Sequence, residues 1–166
     1  RTLMREAEQE LALLLENTKG LPILSVVGIP VPCGGALYNC AAVLFMGKLL
    51  ALCAKSFIPN YSEFYELRHF SPAPSSAKTL VFAGQNVPLW NRIVIDCENV
   101  DGLAFGVEIC EDGWVADTPA TQLAKHGATV LVNPSCSDET IGKAAYRRSM
   151  FAAASGRMLA AYVYAD

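Results

Sequence analysis

The chain is 166 residues long, 52% hydrophobic and 17% charged, with a net charge of −3. That length supports one buried core, and the acidic balance leaves no basic footprint for nucleic acid, the Tyr146-Arg147-Arg148 cluster being too small to change it. A mean hydropathy of +0.29 is high for a freestanding domain, so a further element is expected to cover part of its apolar surface. Its apolar stretches are strand-length and broken by Gly, Pro or charge, so no membrane span is expected.

In chain order, Arg1 to Asn17 predicts an amphipathic helix with Leu3, Met4, Ala7, Leu11, Leu14 and Leu15 on one face and Gly20 as its stop. Ile23 to Ile29 predicts a strand, and Asn39 to Phe45 with Lys48 to Ala54 a hairpin around Met46-Gly47. Ser71 to Lys78, holding Pro72, Pro74, Ser75 and Ser76, predicts a surface loop inside one domain. Thr79 to Phe82, Ile93 to Cys97 and the run into Cys110 predict further strands, with Val100-Asp101-Gly102 as a turn. Thr118-Pro119 predicts an N-cap and N1 opening a helix through Lys125. Thr129 to Asn133 reads as a buried strand, Lys143 to Ser155 as a helix ending at Gly156, and Leu159 to Tyr164 as a last strand. The alternation describes an α/β protein.

Cys33, Cys40, Cys53, Cys97, Cys110 and Cys136 lie in apolar surroundings without C-x-x-C spacing, and only His69 and His126 could add nitrogen ligands. No metal site is therefore expected, and reduced thiols of a cytoplasmic protein fit better than a disulfide framework. Cys110 stands apart: it closes the apolar run Leu103 to Ile109 and enters the turn Glu111-Asp112-Gly113-Trp114. A thiol where a buried strand must turn is held rigidly and can face a crevice. The same segment also reads as an inert core cysteine. Glu111 and Asp112 disfavour a thiolate, so a nucleophilic role needs a cation and a general base from elsewhere. Lys55, ending the run Leu49 to Ala54, offers the cation, or is a solvated residue at a strand end.

Four ordered segments carry a resemblance: Leu37-Tyr38-Asn39-Cys40-Ala41-Ala42-Val43; Lys55-Ser56-Phe57-Ile58-Pro59-Asn60-Tyr61-Ser62-Glu63-Phe64-Tyr65-Glu66; Val107-Glu108-Ile109-Cys110-Glu111-Asp112-Gly113-Trp114; and Asn133-Pro134-Ser135-Cys136-Ser137 followed by Ile141 to Arg148. Together they resemble the nitrilase superfamily of carbon–nitrogen hydrolases, and within it the glutamine-hydrolysing domains that feed ammonia to a synthetase. The resemblance implies a four-layer αββα sandwich, partial in this chain, whose subunits pair into a homo-oligomer. It implies a Glu-Lys-Cys triad with Cys110 as nucleophile, Lys55 as oxyanion cation and the N–H of Glu111 in the oxyanion hole. Glu66 matches a second glutamate that helps hold the lysine, or is an ordinary partner of Arg68 or a solvated residue.

The triad glutamate of the family lies on a loop upstream of a helix that matches Arg1 to Asn17, so the general base is expected outside this sequence; Glu6, Glu8, Glu10 and Glu16 match nothing catalytic. Tyr61, Ser137 and Lys143 match glutamine-binding positions, or are respectively a core aromatic, a turn hydroxyl and a solvated helix-start residue. The implied function is glutamine amide hydrolysis that releases ammonia for ATP-dependent amidation of deamido-NAD. A synthetase domain of the same polypeptide, outside this chain, would carry that step. No cofactor is expected here, and ATP and Mg belong to that other domain. Alternatives are a stand-alone amidase or carbamoylase, and a catalytically silent module for oligomer assembly.

Overall fold

A computed structural model describes residues 2–166; the predicted first residue of the N-terminal helix, Arg1, lies outside the described residues. The chain divides into two compact units, Arg1–Asn91 and Arg92–Asp166. The proline-rich loop is internal to the first unit, as its position in the sequence implied.

In the first unit, helix α1 (Thr2–Asn17) is followed by strands β1 (Leu24–Cys33), β2 (Ala36–Phe45), β3 (Lys48–Ala54), β4 (Lys78–Phe82) and β5 (Gln85–Trp90). The strands form one sheet in the order β1-β2-β3-β5-β4. The predicted β2–β3 hairpin is present, and its turn works because Met46 (φ 48°) and Gly47 (φ 79°) both adopt the left-handed conformation that two-residue hairpins require. Strand β1 runs on past Ile29 through Pro30 and Pro32; as an edge strand it has a side on which a missing N–H breaks no ladder. The sequence reading missed β5, whose Pro88 interrupts the strand pattern; the parallel pairing to β3 starts one residue later, at Leu89.

Of the apolar face assigned to α1, only Leu11 and Leu15 are buried, Ala7 packs partly buried against the same core, and Leu3 and Leu14 are exposed. Full burial of two leucines stabilises by about 3–6 kcal/mol. The Ala83 N–H donates to Glu8 Oε1 (2.9 Å), which ties α1 to the β4–β5 turn. The core here is built from Val31, Leu44, Leu52, Val87 and Leu89 with these two leucines.

In the second unit, β6 (Val94–Asp96), β7 (Ala104–Val107), β8 (Val130–Pro134) and β9 (Ala161–Ala165) form a sheet in chain order, with α2 (Pro119–Lys125) and α3 (Lys143–Met158) between strands. Strands β7, β8 and β9 are parallel, and each crossover carries a helix. The predicted cap is present: the Thr121 N–H donates to Thr118 Oγ1 (3.2 Å) and Pro119 opens α2. The predicted stop at Gly156 is corrected. Helix α3 continues through it to Met158 and ends at Leu159, which turns left-handed (φ 52°); a glycine inside a helix weakens it without ending it. Leu123, Ala128, Leu131 and Ala160 form the core between α2 and the sheet.

Candidate functional site

Two clusters carry chemistry, one in each unit. In the first, the chain leaves β3 at Lys55, whose backbone is held on both sides: its N–H donates to Asn39 O (2.8 Å) and its carbonyl accepts from the Ala73 N–H (2.9 Å). The side chain is 1% exposed, which overturns the solvated strand-end alternative. Its Nζ donates to Glu66 Oε2 at 2.6 Å. Glu66 opens a short 3-10 turn (Glu66–Arg68), and its other oxygen accepts from Asn39 Nδ2 (3.4 Å). The alternatives of an Arg68 partner or a solvated glutamate are thereby corrected in favour of the lysine. A buried ammonium is costly to desolvate and persists only when paired. Tyr61 is 55% exposed, edge-to-face with Phe64 at 5.8 Å between ring centroids, so it is not a core aromatic.

The second cluster grows from the ends of β7 and β8. The parallel register pairs Val107 with Val132, and one further rung follows as the Glu108 N–H donates to Val132 O (3.1 Å). The strand itself ends at Val107, three residues before the cysteine, and Cys110 begins a 3-10 turn (Cys110–Gly113). Ends of parallel strands are where α/β folds place ligands. Asn133 on β8, fully buried, accepts the Cys110 N–H on its Oδ1 (2.8 Å), while its Nδ2 lies 3.5 Å from Cys110 O and donates to the Tyr162 hydroxyl (3.1 Å). Tyr162 in turn donates a very short bond to Glu108 Oε1, and the Ala120 N–H at the start of α2 donates to Glu108 Oε2 (2.8 Å).

Cys110 is half-buried and left-handed (φ 48°). For an L-residue with a Cβ that conformation costs roughly 1–2 kcal/mol. It survives because the surrounding bonds over-determine it. Asp112, 1% exposed, braces the same turn by accepting the Ile109 N–H on Oδ2 (3.0 Å). Burial pushes the Glu108 carboxyl above its usual range, although the Tyr162 hydroxyl and Ala120 N–H pull it back. Burial, then the neighbouring Glu108, pushes the Tyr162 phenol up.

Glu111 is the second residue of the turn and half-buried. The Ser137 N–H donates to Asp166 Oδ1 (2.7 Å). Lys143 opens α3 in a short ion pair with Asp138, its ammonium 5.4 Å from the Trp114 ring centroid, so it is not the solvated helix-start residue of the alternative reading. The structure thus brings Lys55 and Glu66 into contact in the first unit, while in the second it brings Trp114, two residues from Asp112 on the cysteine turn, to Lys143. The sequence reading singled out neither Asn133 nor the Glu108–Tyr162 pair. A polar Asn closing an apolar strand is the one sequence feature that pointed to the former.

No protein-family model matches the chain. A glutamine-dependent NAD(+) synthetase of Mycobacterium bovis is 41% identical over 155 residues, which is 93% of this chain and 23% of that protein. The chain therefore spans about a quarter of the length of the curated relatives it matches. Among solved structures, a glutamine-dependent NAD(+) synthetase from Cytophaga hutchinsonii superposes with a TM-score of 0.77 at 29% identity, covering 96% of this chain and 25% of that one. A carbon–nitrogen hydrolase from Helicobacter pylori superposes with a TM-score of 0.64 over 93% of this chain and 49% of that one, at 18% identity, which shows the fold alone.

The cysteine turn at the ends of parallel strands and these superpositions define a nitrilase-like α/β fold, present here in part. Over its length it is a relative of the glutamine-dependent NAD(+) synthetases.

Proposed function

We propose that the chain is part of a glutaminase domain in a longer polypeptide, and that it releases ammonia from glutamine for amidation of deamido-NAD by an ATP- and Mg-dependent synthetase domain of that same polypeptide. The observation that carries the reading is Cys110, held in a left-handed turn just beyond β7 by hydrogen bonds from its own N–H and from that of Ile109. A left-handed conformation over-determined by hydrogen bonds at a half-buried thiol fits a positioned nucleophile better than filler in a core.

The Cys110 thiol gives its proton to a base as the sulfur bonds to the carboxamide carbon. In the assignment the resemblance implies, the tetrahedral oxyanion is met by the Glu111 N–H and the Lys55 ammonium; the C–N bond then breaks and ammonia leaves with a proton. Water hydrolyses the thioester, yielding glutamate and restoring the thiol. Glu66 positions Lys55. The resemblance assigns the base to a glutamate of the complete polypeptide outside these residues, while Glu108 and Asp112 accept backbone N–H groups. Tyr61, Ser137 and Lys143 would orient the amino acid end of glutamine, in a cytoplasmic homo-oligomer.

Cys110→Ala in the complete polypeptide tests this. Glutamine-driven NAD synthesis should disappear while synthesis from free ammonia continues, because the two chemistries use separate sites. Undiminished glutamine turnover would overturn the reading, and activity on other amides in place of glutamine would make the protein a stand-alone amidase.

A further inference from the structure

We infer that Asn133 is a positioning residue for Cys110, and that Tyr162 and Glu108 fix the direction in which its carboxamide points. The inference rests on the reading of Cys110 as nucleophile.

The bonds form a one-way chain. The Cys110 N–H donates to Asn133 Oδ1, Asn133 Nδ2 donates to the Tyr162 oxygen, and the Tyr162 hydroxyl donates to Glu108. The chain ends on a carboxylate that also accepts the Ala120 N–H. The Cys110 backbone N–H can only donate, so the carbonyl end of Asn133 is the end that fits it; the NH₂ end then faces the phenol oxygen, which accepts from it and turns its own hydrogen to Glu108. A flipped Asn133 would set N–H against N–H at the nucleophile and leave a buried donor unpaired.

Packing sets the cysteine turn close against the carboxamide. A Cβ built on Gly113, the last residue of the cysteine turn, would lie 2.9 Å from Asn133 Nδ2 and 2.7 Å from Phe151 Cε1. Phe151 stacks on Tyr162 with ring centroids 4.7 Å apart. Turn, carboxamide and phenol are therefore wedged together, and the sulfur's direction follows from the Asn133 orientation. None of these groups needs to touch substrate.

The test is steady-state glutaminase kinetics of the complete polypeptide, with rates normalised to Cys110 titrated by a glutamine-analogue electrophile. Asn133→Ala is expected to lower kcat about a hundredfold, the cost of a misplacement near 1 Å, with KM for glutamine changed less than about threefold, as expected for a group that orients the nucleophile without binding substrate. Tyr162→Phe keeps the ring stack and removes only the director, and its kcat should fall about tenfold, a partial version of the same misplacement. Misfolding alone would lower the titratable fraction and leave kcat per titrated site unchanged. If Asn133→Ala is insoluble, Tyr162→Phe decides. Both variants keeping kcat within about twofold while Cys110→Ala is dead would overturn the inference and leave the nucleophile standing; a fully active Cys110→Ala would instead remove the reading beneath it.

Discussion

Lys55 and Glu66 make an unequal pair, and the inequality can be measured. The lysine is 1% exposed and the glutamate 28%, across a 2.6 Å contact. Glu66→Gln leaves an ammonium buried without its carboxylate, for which removing one partner of a buried pair costs about 3–5 kcal/mol. The partial exposure of the contact argues for the lower end, about 3 kcal/mol. Lys55→Met leaves a carboxylate that can turn to water and puts an apolar chain of similar length in a buried slot, so about 1 kcal/mol or less is expected. The probe is hydrogen exchange at the Lys55 and Ala73 amides, whose bonds to Asn39 and Lys55 carbonyls frame the site. A 3 kcal/mol loss of local stability speeds exchange about 150-fold in Glu66→Gln, against about fivefold in Lys55→Met. Both variants should lose glutaminase activity, and the double variant should exchange more slowly than Glu66→Gln. Exchange in Glu66→Gln within about twofold of the parent, or slower than in Lys55→Met, would refute the assignment of a buried charge held by Glu66.

Burial pushes the Cys53 thiol up to about 12 and Cys40 still higher, so at pH 8 only about one Cys53 in ten thousand is a thiolate. Peptide mapping after iodoacetamide should find both unmodified in the native protein while exposed Cys136 reacts. Because the native Glu108 carboxyl titrates above its ordinary value, the folded state favours its protonated form, and stability is lost as pH rises from the ordinary glutamate range through the raised native value. Glu108→Gln should flatten that dependence in urea unfolding; since Tyr162 and Ala120 donate to separate oxygens of Glu108 and Gln turns one of them into a donor NH₂, it should also cost about 1–3 kcal/mol. The 166-residue chain alone should release ammonia from glutamine at least about a hundredfold more slowly than the complete polypeptide, the contribution of a positioned base. A comparable rate would make Glu66 the first candidate for that base.

Local chemistry was legible where it is self-contained. Thr118-Pro119 announces a helix start from two residues, and Met46-Gly47 between two β-rich runs announces a hairpin. Strand β5 was not legible, because Pro88 hides the alternation, although it closes a hairpin with β4 around Ala83-Gly84. Gly156 misled because a glycine resembles a helix stop, whereas α3 ends where Ser155 Oγ donates to Ala160 O (2.7 Å) and the Leu159 N–H donates to Ser155 O. The site divides the same way. Cys110 and Lys55 stand at visible breaks between an apolar run and a turn. Asn133 becomes the clamp of Cys110 only through the parallel register of β7 with β8, a contact 23 residues apart in the chain. Tyr162 joins Glu108 across 54 residues. Single-sequence periodicity sees neither, because it carries spacing along one element and not the pairing between elements.

The central claim is that Cys110 is the nucleophile. It is tested most directly by treating the complete polypeptide with a glutamine-analogue electrophile and mapping the adduct by peptide mass spectrometry. The account predicts one adduct per chain, on Cys110, formed in step with loss of glutaminase activity and slowed by glutamine. Activity lost with the label on another cysteine, or equal labelling of all six, would contradict it.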